Sequence, residues 1–409
     1  MSRLLLFTND YPYATGDTVF VEKEIRSLAA SFDDVVVFCH ARDTSPGLVP
    51  MPANVRLGGN LFERSAEDSL WTPLRPRMLA LAAAAAWREL VAGRLRGHVR
   101  LFLMGARVGI TQARRRAVRE AIAESPDTVA YAFWGMGGGL AISWLTGVRR
   151  RVVRLHGYDL YEDRQPSGYL PFRRFLLARV DRVLTVSEHG RRYLSQAYAD
   201  PRVDAKVTVS RLGVGGPAEL RRPPRGRERV VVSCSAVIPL KRVPLIWESL
   251  SALHRRAPET PLRWVHFGGG EGLGELERLT SAAGAGIAVD LRGDTPNRDV
   301  LRFYEENRVD AFVNLSTSEG LPVSIMEAVA WDIPVVATAV GGTPELVGPE
   351  LGTGELVAGD AGADAVAAVL ERVLEADDGT YRPRGVWEQE FDVEKTGRRA
   401  ADLVRGGAR

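Results

Sequence analysis

Short, continuous apolar runs alternate along the first half of the chain with segments of helical spacing. Apolar runs too short to be helices indicate strands that are covered on both faces of a parallel sheet. A polar loop at 9–18 follows the first run, and a helical pattern at Val21–Ala30 follows the loop. The predicted strands are Leu4–Thr8, Val35–Cys39, Val129–Phe133, Val152–Leu155, Val183–Val186 and Val207–Val209.

The same alternation begins again after a stretch of different composition. Residues 213–229 are dominated by glycine, proline and arginine and have no apolar period, which is typical of an interdomain linker. Beyond this stretch, helical patterns at Val243–Arg256 and Asn297–Glu306 separate further apolar runs. The predicted strands of this half are Val230–Cys234, Trp264–Phe267, Val289–Arg292, Ala311–Leu315 and Pro334–Ala337.

Two series of this kind predict an α/β protein with two doubly wound, Rossmann-like domains. We place the domains at 1–214 and 230–385, the linker at 215–229 and an amphipathic helical tail at 386–409. Whether this tail crosses back to the first domain is left open by its pattern. Ligands of open parallel sheets bind beyond the carboxyl ends of the strands, so we expect site residues there.

Composition excludes several classes of protein. The chain has 409 residues, of which 45% are hydrophobic and 26% are charged, as in ordinary globular proteins. A net charge of +3 does not favour nucleic-acid binding, and two cysteines are too few for a disulfide framework. The chain passes directly into a strand, and no apolar run reaches the roughly 20 residues of a membrane span, so we expect a cytoplasmic protein.

Arginine is concentrated between Arg75 and Arg119, where eleven arginines accompany a single acid, Glu89. Apolar residues lie between them, and a basic amphipathic stretch can lie on an anionic membrane surface. The alternative is a set of ordinary helices with arginine outer faces, since the chain has 50 arginines and 4 lysines. The first interpretation adds peripheral contact with the inner membrane surface, and both stay open.

The most informative stretch is Ser316–Val347, which follows the strand ending at Leu315. Gly320 permits a tight turn, and Pro322 suits the first position of a helix predicted at Val323–Trp331. The amides at the start of a helix, together with the helix dipole, attract phosphate. This stretch is therefore a candidate phosphate-binding turn.

Two carboxylates flank the turn, Glu319 in the predicted loop and Glu327 within the predicted helix. Carboxylates accept strong hydrogen bonds from hydroxyl groups, so the pair could hold two sugar rings on either side of bound phosphates. The alternative, which the spacing alone favours, is a loop acid and a surface helix residue. Apolar neighbours in sequence point to partial burial of Glu327, and a buried acid requires a partner.

The pattern E-G-L-P-V-x-x-x-E-A, followed by P-V-V-A-T and G-G-T-P-E, resembles the retaining glycosyltransferases of family four. It is most similar to members that build exopolysaccharide or capsule units. The resemblance implies the GT-B fold, in which two Rossmann-like domains face each other across a cleft. It also implies a UDP- or GDP-sugar donor, with Glu319 at the sugar and Glu327 at the ribose, and no tightly bound cofactor. The implied amide contacts are those of Gly320, Leu321 and Val323.

The segment Ser233–Val243 resembles the family's loop whose arginine and lysine neutralise the donor diphosphate. Lys241 matches the lysine, and a compact ammonium suits a leaving diphosphate. The alternative is a solvated loop lysine. Ala236 stands at the position of the arginine, and this departure leaves a charge deficit that Arg242 or Arg211 would have to fill.

Further donor contacts are implied near the ends of later strands. The glycines at 268–270 do not complete the motif G-x-G-x-x-G, so a dinucleotide-binding interpretation is weak. A surface turn is the alternative for Arg292, whereas Thr343 is predicted to cap a helix. Asp332 replaces the family's common glycine, and aspartate tolerates left-handed geometry better than most residues. The implied contacts are Gly268, Gly269, Arg292, Gly342 and Thr343.

Candidate acceptor residues lie in the first half. His156 follows a predicted strand and could bind a sugar hydroxyl or assist proton movement; the alternative is a strand-end histidine bonded to the backbone. Asp159 continues the same loop toward the acceptor. Glu22 is either an acceptor contact or an acid that compensates the dipole of the first helix.

These features predict retaining hexosyl transfer to a saccharide or lipid-linked acceptor, in surface polysaccharide biosynthesis. No D-x-D, H-E-x-x-H or Cys/His cluster occurs in the sequence, so we expect a metal-independent reaction. Because of Ala236, the alternative is a catalytically silent nucleotide-sugar-binding protein of the same fold.

Overall fold

The apolar runs of each half form a parallel sheet in a computed structural model of the chain, which describes residues 1–63, 76–220, 222–282 and 286–407. Arg75, at the start of the arginine-rich stretch, lies outside the described residues. No described helix is both long and apolar enough to cross a membrane.

The chain divides into two units, which we call the first and the second unit. The first unit consists of Met1–Leu212 and Val393–Arg409, and the second of Gly213–Asp392. The second unit therefore begins before residue 230, within the stretch that composition marks as a linker. Arg225 shows why, since its guanidinium donates to the carbonyl oxygens of Leu374 and Ala376 and fixes this stretch to the second unit.

The first unit is built on a seven-stranded sheet of order β3-β2-β1-β4-β5-β6-β7, in which all neighbours are parallel. Its strands are β1 Arg3–Phe7, β2 Asp34–Cys39, β3 Val55–Asn60, β4 Thr128–Ala132, β5 Arg150–Leu155, β6 Arg182–Thr185 and β7 Val207–Val209. Its helices, apart from one at the end of the chain, are α1 Thr18–Ser31, α2 Pro76–Val91, α3 Val99–Arg114, α4 Arg116–Ala123, α5 Gly157–Leu160, α6 Arg173–Arg179, α7 Glu188–Tyr198 and α8 Pro201–Asp204.

The second unit repeats this architecture with a six-stranded parallel sheet of order β10-β9-β8-β11-β12-β13. Its strands are β8 Arg229–Cys234, β9 Leu262–Phe267, β10 Ile287–Leu291, β11 Ala311–Asn314, β12 Val335–Thr338 and β13 Gly354–Val357. Its helices are α9 Val243–Arg256, α10 Leu273–Ala282, α11 Asn297–Glu306, α12 Val323–Ala330, α13 Ala363–Glu375 and α14 Arg384–Val386.

The last helix, α15 (Val393–Arg405), packs in the first unit against α1. Its buried face consists of small and apolar residues, Gly397, Ala400, Ala401, Leu403 and Val404. A Cβ added at Gly397 would lie 2.6 Å from Ser27 Oγ, so a larger residue there would require the Ser27 side chain to move. The predicted tail is thus divided at residue 393, and its first residues stay with the second unit.

The hydrophobic pattern did not predict two of the observed strands, and the reason is the same for both. The strand β3 has the sequence VRLGGN and β13 has GELV, so neither contains a continuous apolar run. Both lie at an edge of their sheet, where one side of the strand has no neighbour and burial is incomplete. All of the predicted strands are present, and their observed ends differ from the predicted ends by at most two residues.

A buried ion pair ties α1 to the middle of the first sheet. Arg154 on β5 is completely buried, and its guanidinium binds the Glu24 carboxylate and donates to Ser210 Oγ at 2.8 Å. Tyr131 on β4 donates to the other Glu24 oxygen at 3.2 Å. Glu24 lies on the helix face that also carries Val21 and Leu28, so helical spacing brings it inward.

We expect Glu24→Ala to lower the free energy of unfolding of the first unit by about 3–5 kcal/mol, because it leaves the Arg154 charge buried without a partner. Urea denaturation followed by circular dichroism measures the loss. Glu22→Ala is the matched control, because Glu22 is exposed on the same helix and its removal should change stability by no more than about 0.5 kcal/mol. Equal losses for the two variants would contradict this role of the ion pair.

Candidate active site

The second unit brings two opposite charges together at the carboxyl ends of β8 and β11. Lys241 lies in the loop after β8, and Glu319 lies in the loop after β11. Because these strands are parallel neighbours, both loops emerge from the same edge of the sheet. Lys241 Nζ lies 2.6 Å from Glu319 Oε1, with side-chain exposures of 22% and 8%. The lysine is therefore not a freely solvated loop residue.

Hydrogen bonds hold the loop that carries Glu319 in one conformation. The Thr317 amide donates to the Leu240 carbonyl at 2.9 Å, which joins this loop to the Lys241 loop. Thr338 Oγ1, at the end of β12, donates to the Ser316 carbonyl at 2.6 Å. The position of the ion pair is thus fixed by backbone contacts as well as by the two charges.

The neighbouring loop leaves no room for a side chain at Gly341. This residue has φ +55°, and a Cβ built on it would lie 1.8 Å from the Glu319 carbonyl oxygen. Glycine is required for both reasons, the left-handed backbone and the close approach. The G-G-T-P-E stretch therefore supports the Glu319 backbone directly.

Helix α12 begins beside this loop with amides that no protein atom in the described part of the chain accepts. They belong to Gly320, Leu321, Val323 and Ser324. Pro322 is the residue before the first helical one, with φ −74° and ψ 111°, so it precedes the predicted first position by one residue. The helix ends as predicted, since Asp332 has φ 58° and accepts the left-handed geometry. The start of α12 can donate hydrogen bonds to an anion.

Both glutamates of the motif are buried, with 6% exposure for Glu319 and 4% for Glu327. Glu327 is not a surface helix residue, and Asn297 Nδ2 at the start of α11 donates to its Oε1 at 3.1 Å. A buried carboxylate held by an amide can accept hydroxyl hydrogen bonds with little further ordering.

Arg242 lies in the same loop as Ala236, the position of the predicted charge deficit. Its Nε donates to the Leu315 carbonyl at 2.6 Å, at the end of β11, while its Nη2 is buried without a protein partner. Ala236 lies exposed in the same loop, and Arg211 belongs to the first unit. Arg242 is thus the stronger candidate for the missing diphosphate contact.

The glycines after β9 form a close backbone contact with the Lys241 loop. A Cβ at Gly268 would lie 1.9 Å from the Ser235 carbonyl oxygen, and the Gly269 amide donates to Asp294 Oδ1 at 2.9 Å. Arg292 stacks on Phe303, with its guanidinium carbon 4.8 Å from the ring centre. Arg292 is nevertheless exposed just after β10, so the surface-turn alternative stays open.

The predicted helix cap at Thr343 is wrong. Thr343 is the first residue of a short 3-10 turn, Thr343–Glu345, which begins after Gly342. Its hydroxyl is buried and bonds to no described protein atom. The turn is too short to need a side-chain cap, so the threonine hydroxyl is not used for capping.

In the first unit, His156 follows β5 and is almost fully buried, at 6% exposure. Its ring packs on Trp134 with a centroid distance of 4.0 Å. Neither ring nitrogen has a partner within strict hydrogen-bond geometry in the described structure. The start of α5 nevertheless forms a capping box in which the His156 side chain faces the Asp159 amide, so the alternative of a histidine bonded to the backbone stays open. Burial, together with the Arg154 guanidinium, lowers the pKa of His156 well below its usual value, so the ring is neutral near pH 7.

Asp159 does not present its carboxylate to an acceptor. The side chain is completely buried, and its oxygens accept hydrogen bonds from the His156 amide at 2.6 Å and the Gly135 amide at 2.5 Å. Burial raises the pKa of Asp159 to about 6, against the lowering effect of Arg173 and these amides. The structure gives Asp159 a positioning role, in which it fixes the backbone at His156.

Glu22 is exposed and lies beyond the first turn of α1, which begins at Thr18, so the dipole-compensating alternative is wrong. Asp17, the residue before this helix, is a further residue of this region that the sequence pattern did not indicate. Its carboxylate accepts from the Asn9, Asp10 and Tyr11 amides at 2.7–2.8 Å and from Trp134 Nε1 at 2.7 Å. The helix begins at Thr18, three residues before the predicted pattern, so the aspartate that precedes it was not recognised as a helix-start signal.

No group of three or more His, Cys, Asp or Glu side chains within the described residues could hold a metal ion. The expectation of a metal-independent reaction stays a prediction. Lys241 and Arg242 place two cations at the carboxyl edge of the second sheet.

Comparison with known proteins decides the family. The profile described as Glycosyltransferase Family 4 matches residues 15–215, and the profile described as Glycosyl transferases group 1 matches residues 219–384. Together they cover nearly the whole chain. The chain belongs to the group 1 glycosyltransferases of family four. The predicted family and its GT-B fold are confirmed, and membership supports glycosyl transfer as the activity class.

Individual relatives of this glycosyltransferase are distant. The GDP-mannose-dependent alpha-(1-6)-phosphatidylinositol monomannoside mannosyltransferase of Mycolicibacterium smegmatis is 29% identical over 64% of this chain and 71% of its own. WcaL of Salmonella typhimurium, by name a colanic acid biosynthesis glycosyltransferase, is 26% identical over 61% of this chain and 63% of its own. The match thus spans less than two thirds of WcaL. HepE of Anabaena, solved with UDP and glucose, has a TM-score of 0.65 and 16% identity, and covers 98% of this chain and 99% of its own.

We expect Gly341→Ala to raise the Kd for UDP or GDP about tenfold or more, because the added methyl displaces the Glu319 backbone. Isothermal titration calorimetry measures the change. Gly352→Ala is the matched control, since Gly352 has φ +65° but no atom within 4 Å of an added Cβ. The control should lose about 1–2 kcal/mol of folding stability and keep its nucleotide affinity. Equal affinities of the two variants would contradict the supporting role of Gly341.

Proposed function

We propose that this glycosyltransferase moves a hexosyl group, with retention of configuration, from a UDP- or GDP-sugar to a saccharide or lipid-linked acceptor in surface polysaccharide biosynthesis. The observation that carries the proposal is the Lys241–Glu319 ion pair beside the unpaired amides of α12. The two charges and the amides lie at one sheet edge, where an activated sugar requires both cationic and carboxylate contacts.

The donor diphosphate would be bound by positive charge from three sources. These are the Lys241 ammonium, the Arg242 guanidinium and the amides at the start of α12. Such preorganised donors stabilise the charge that develops on a leaving group, and each contributes about 3–4 kcal/mol in comparable sites. Arg242, whose Nη2 has no protein partner, would supply the positive charge that is missing because Ala236 stands at the position of the family's arginine. The charge deficit therefore does not imply that the protein is catalytically silent.

The two buried glutamates would hold the sugar rings of the donor. Glu319, beside Lys241, would orient the transferred hexose, and Glu327, fixed by Asn297, would accept hydrogen bonds from the ribose hydroxyls. Carboxylates bind vicinal hydroxyls strongly because the acceptor is charged. Gly342 and the buried Thr343 hydroxyl are further candidate contacts in this region.

The transfer step would proceed on one face of the sugar. The bond between the anomeric carbon and the diphosphate oxygen breaks, and the acceptor hydroxyl oxygen bonds to the same face of that carbon. The hydroxyl proton passes to the departing phosphate oxygen, so neither a metal nor an enzyme nucleophile is needed. Retention follows because the new bond forms on the face that the leaving group vacates.

The acceptor would bind to the first unit around His156. The ring is neutral, and neither nitrogen has a partner within strict hydrogen-bond geometry in the described structure, so it can donate one hydrogen bond and accept another from sugar hydroxyls. Asp159 and Asp17 would hold the surrounding backbone, since each accepts several amide hydrogen bonds. Exposed Glu22 remains a candidate acceptor contact.

The relatives support both nucleotides. The mycobacterial relative is named for GDP-mannose, and HepE was solved with UDP and glucose. WcaL, named for colanic acid, supports an acceptor in surface polysaccharide synthesis. Donors of both classes therefore belong in any activity screen.

We expect Glu327→Gln to raise the Kd for the donor about 10- to 100-fold, because a hydrogen bond to a charged group contributes about 1.5–3 kcal/mol. Calorimetric titration with UDP-glucose and GDP-mannose measures the change. Glu305→Gln is the matched control, because Glu305 is an exposed glutamate on α11, the helix that begins at Asn297. Unchanged affinity in Glu327→Gln would contradict the donor assignment.

We expect the wild-type protein to transfer sugar with retained anomeric configuration, as read by NMR of the product. Lys241→Met should lower kcat about 10²- to 10³-fold through lost leaving-group stabilisation, whereas Lys241→Arg should keep part of the activity. An inverted product would overturn the retaining mechanism. Donor binding without transfer to any lipid-linked or saccharide acceptor would favour the silent binding protein.

A further inference from the structure

The loop between β10 and α11 carries a carboxylate that the proposed transfer step does not use. This is the Asp294 side chain, which is exposed and lies three residues beyond the end of β10. Its Oδ1 accepts a hydrogen bond from the Gly269 amide at 2.9 Å. Within the described chain no arginine or lysine forms an ion pair with it, and the guanidinium of Arg292 binds Asp290 instead, at 3.0 Å. The carboxylate therefore has lone pairs available for a ligand.

Two glycines place this carboxylate beside the loop that carries Lys241. A Cβ added at Gly269 would lie 2.7–2.8 Å from three atoms of the Asp294 carboxyl group, so this group packs directly against the glycine backbone. The preceding glycine, Gly268, makes a similar contact with the Ser235 carbonyl in the Lys241 loop. Because consecutive Cα atoms are about 3.8 Å apart, Asp294 lies close to the loop that would bind the donor diphosphate.

The same β10–α11 loop also leads to the candidate ribose contact. Asn297, three residues after Asp294, donates from Nδ2 to Glu327 Oε1 at 3.1 Å. Three residues of fully extended chain span at most about 11 Å, so the Asp294 backbone lies within that distance of Asn297. A nucleobase joined to a ribose at Glu327 can therefore reach Asp294.

Helix α12 sets the direction in which a bound nucleotide would run. The amides that no described protein atom accepts lie at its start. Glu327 comes four residues after Val323, the first helical residue, which is about 6 Å along the helix. The phosphates would thus lie at the start of α12 and the ribose beside its second turn. The base is attached to the ribose at the end away from the phosphates, where the β10–α11 loop meets Glu327.

The chemistry of a carboxylate distinguishes the nucleobases. Guanine carries two adjacent donors, N1–H and the 2-amino group, which match the two oxygens of one carboxylate. Uracil has its single ring donor, N3–H, between two carbonyl oxygens, and a carboxylate oxygen would face one of them. Adenine and cytosine have an unprotonated ring nitrogen beside the amino group, so they offer one donor and one acceptor. A carboxylate in this position therefore favours guanine.

We propose that Asp294 is a specificity-determining residue of the donor site and that it selects a guanine nucleotide, so that the donor is a GDP-sugar. This selection rests on the proposed function, because it names the nucleotide of the same site. The two carboxylate oxygens accept hydrogen bonds from N1–H and from the 2-amino group of the base. The Gly269 amide holds the carboxylate in place, since each oxygen has two lone pairs and can accept a second bond.

Calorimetric titration of the full chain with four nucleoside diphosphates tests this selection. Wild-type protein should bind GDP about 10- to 100-fold more tightly than UDP, because a well-formed pair of hydrogen bonds to a base edge discriminates to that extent. Inosine diphosphate lacks the 2-amino group, and xanthosine diphosphate has a carbonyl oxygen in its place. Both should bind more weakly than GDP, and xanthosine diphosphate should be the weaker of the two.

Asp294→Asn should change this order. Asparagine offers one acceptor and one amide donor, which match the N1–H and 2-carbonyl groups of xanthine. The variant should therefore bind GDP about 10- to 100-fold more weakly and xanthosine diphosphate about tenfold more tightly than wild type. Such a gain in affinity cannot arise from a variant that fails to fold. Asp378→Asn is the matched control, because Asp378 pairs with Arg308 before β11, at the opposite edge of the sheet, and should bind all four nucleotides as wild type does.

UDP binding as tight as GDP binding in the wild-type protein would overturn guanine selection, and so would an unchanged preference for GDP over xanthosine diphosphate in Asp294→Asn. Either result leaves the proposed function standing, because a uridine nucleotide also carries an activated sugar. Failure of all four nucleotides to bind contradicts both proposals. Sugar transfer from GDP-mannose and UDP-glucose is measured in parallel, and guanine-selective binding without transfer contradicts the catalytic proposal alone.

Discussion

Parallel pairing of β8 with β11 is the constraint on which the candidate active site depends. The loops that follow two parallel neighbouring strands leave the sheet at the same edge. Here these loops carry Lys241 and Glu319. The ion pair of Lys241 and Glu319 and the amide of Thr317 then join the two loops. Gly341 fills the remaining space from a third loop. None of these contacts could form if either strand ran in the opposite direction.

The first unit holds the neutral imidazole of His156 in a buried position. The polar groups around His156 bind one another or the backbone. Arg154 is neutralised by Glu24, and Asp159 binds the amides of His156 and Gly135. Nitrogens of Arg154 and Arg173, as well as the ring nitrogens of His156, nevertheless have no hydrogen-bond partner in the described structure. Such an arrangement costs stability unless a ligand completes it, which fits a place for sugar hydroxyls.

The arginine-rich stretch shows how composition and structure answer different questions. An arginine-rich chain explains many exposed guanidinium groups without any function. It does not explain why Trp87 and Leu90 of α2 are exposed while Glu89 between them is buried. Only the placement of α2 against the rest of the first unit distinguishes an ordinary helix with an arginine face from a helix whose apolar face has no partner in the described chain.

The sequence alone determined the fold class, the family and most strands, because continuous apolar runs and the E-G-L-P-V pattern are local signals. It also indicated that Asp332 could end α12 in left-handed geometry. Edge strands β3 and β13 were missed because partial burial leaves no continuous run. The pairing of Lys241 with Glu319, the burial of Glu327, and the positioning roles of Asp17 and Asp159 were decided only by the tertiary structure. Each of these features depends on contacts between residues that are far apart in sequence. Local sequence patterns do not indicate which of those residues lie close together in the folded chain.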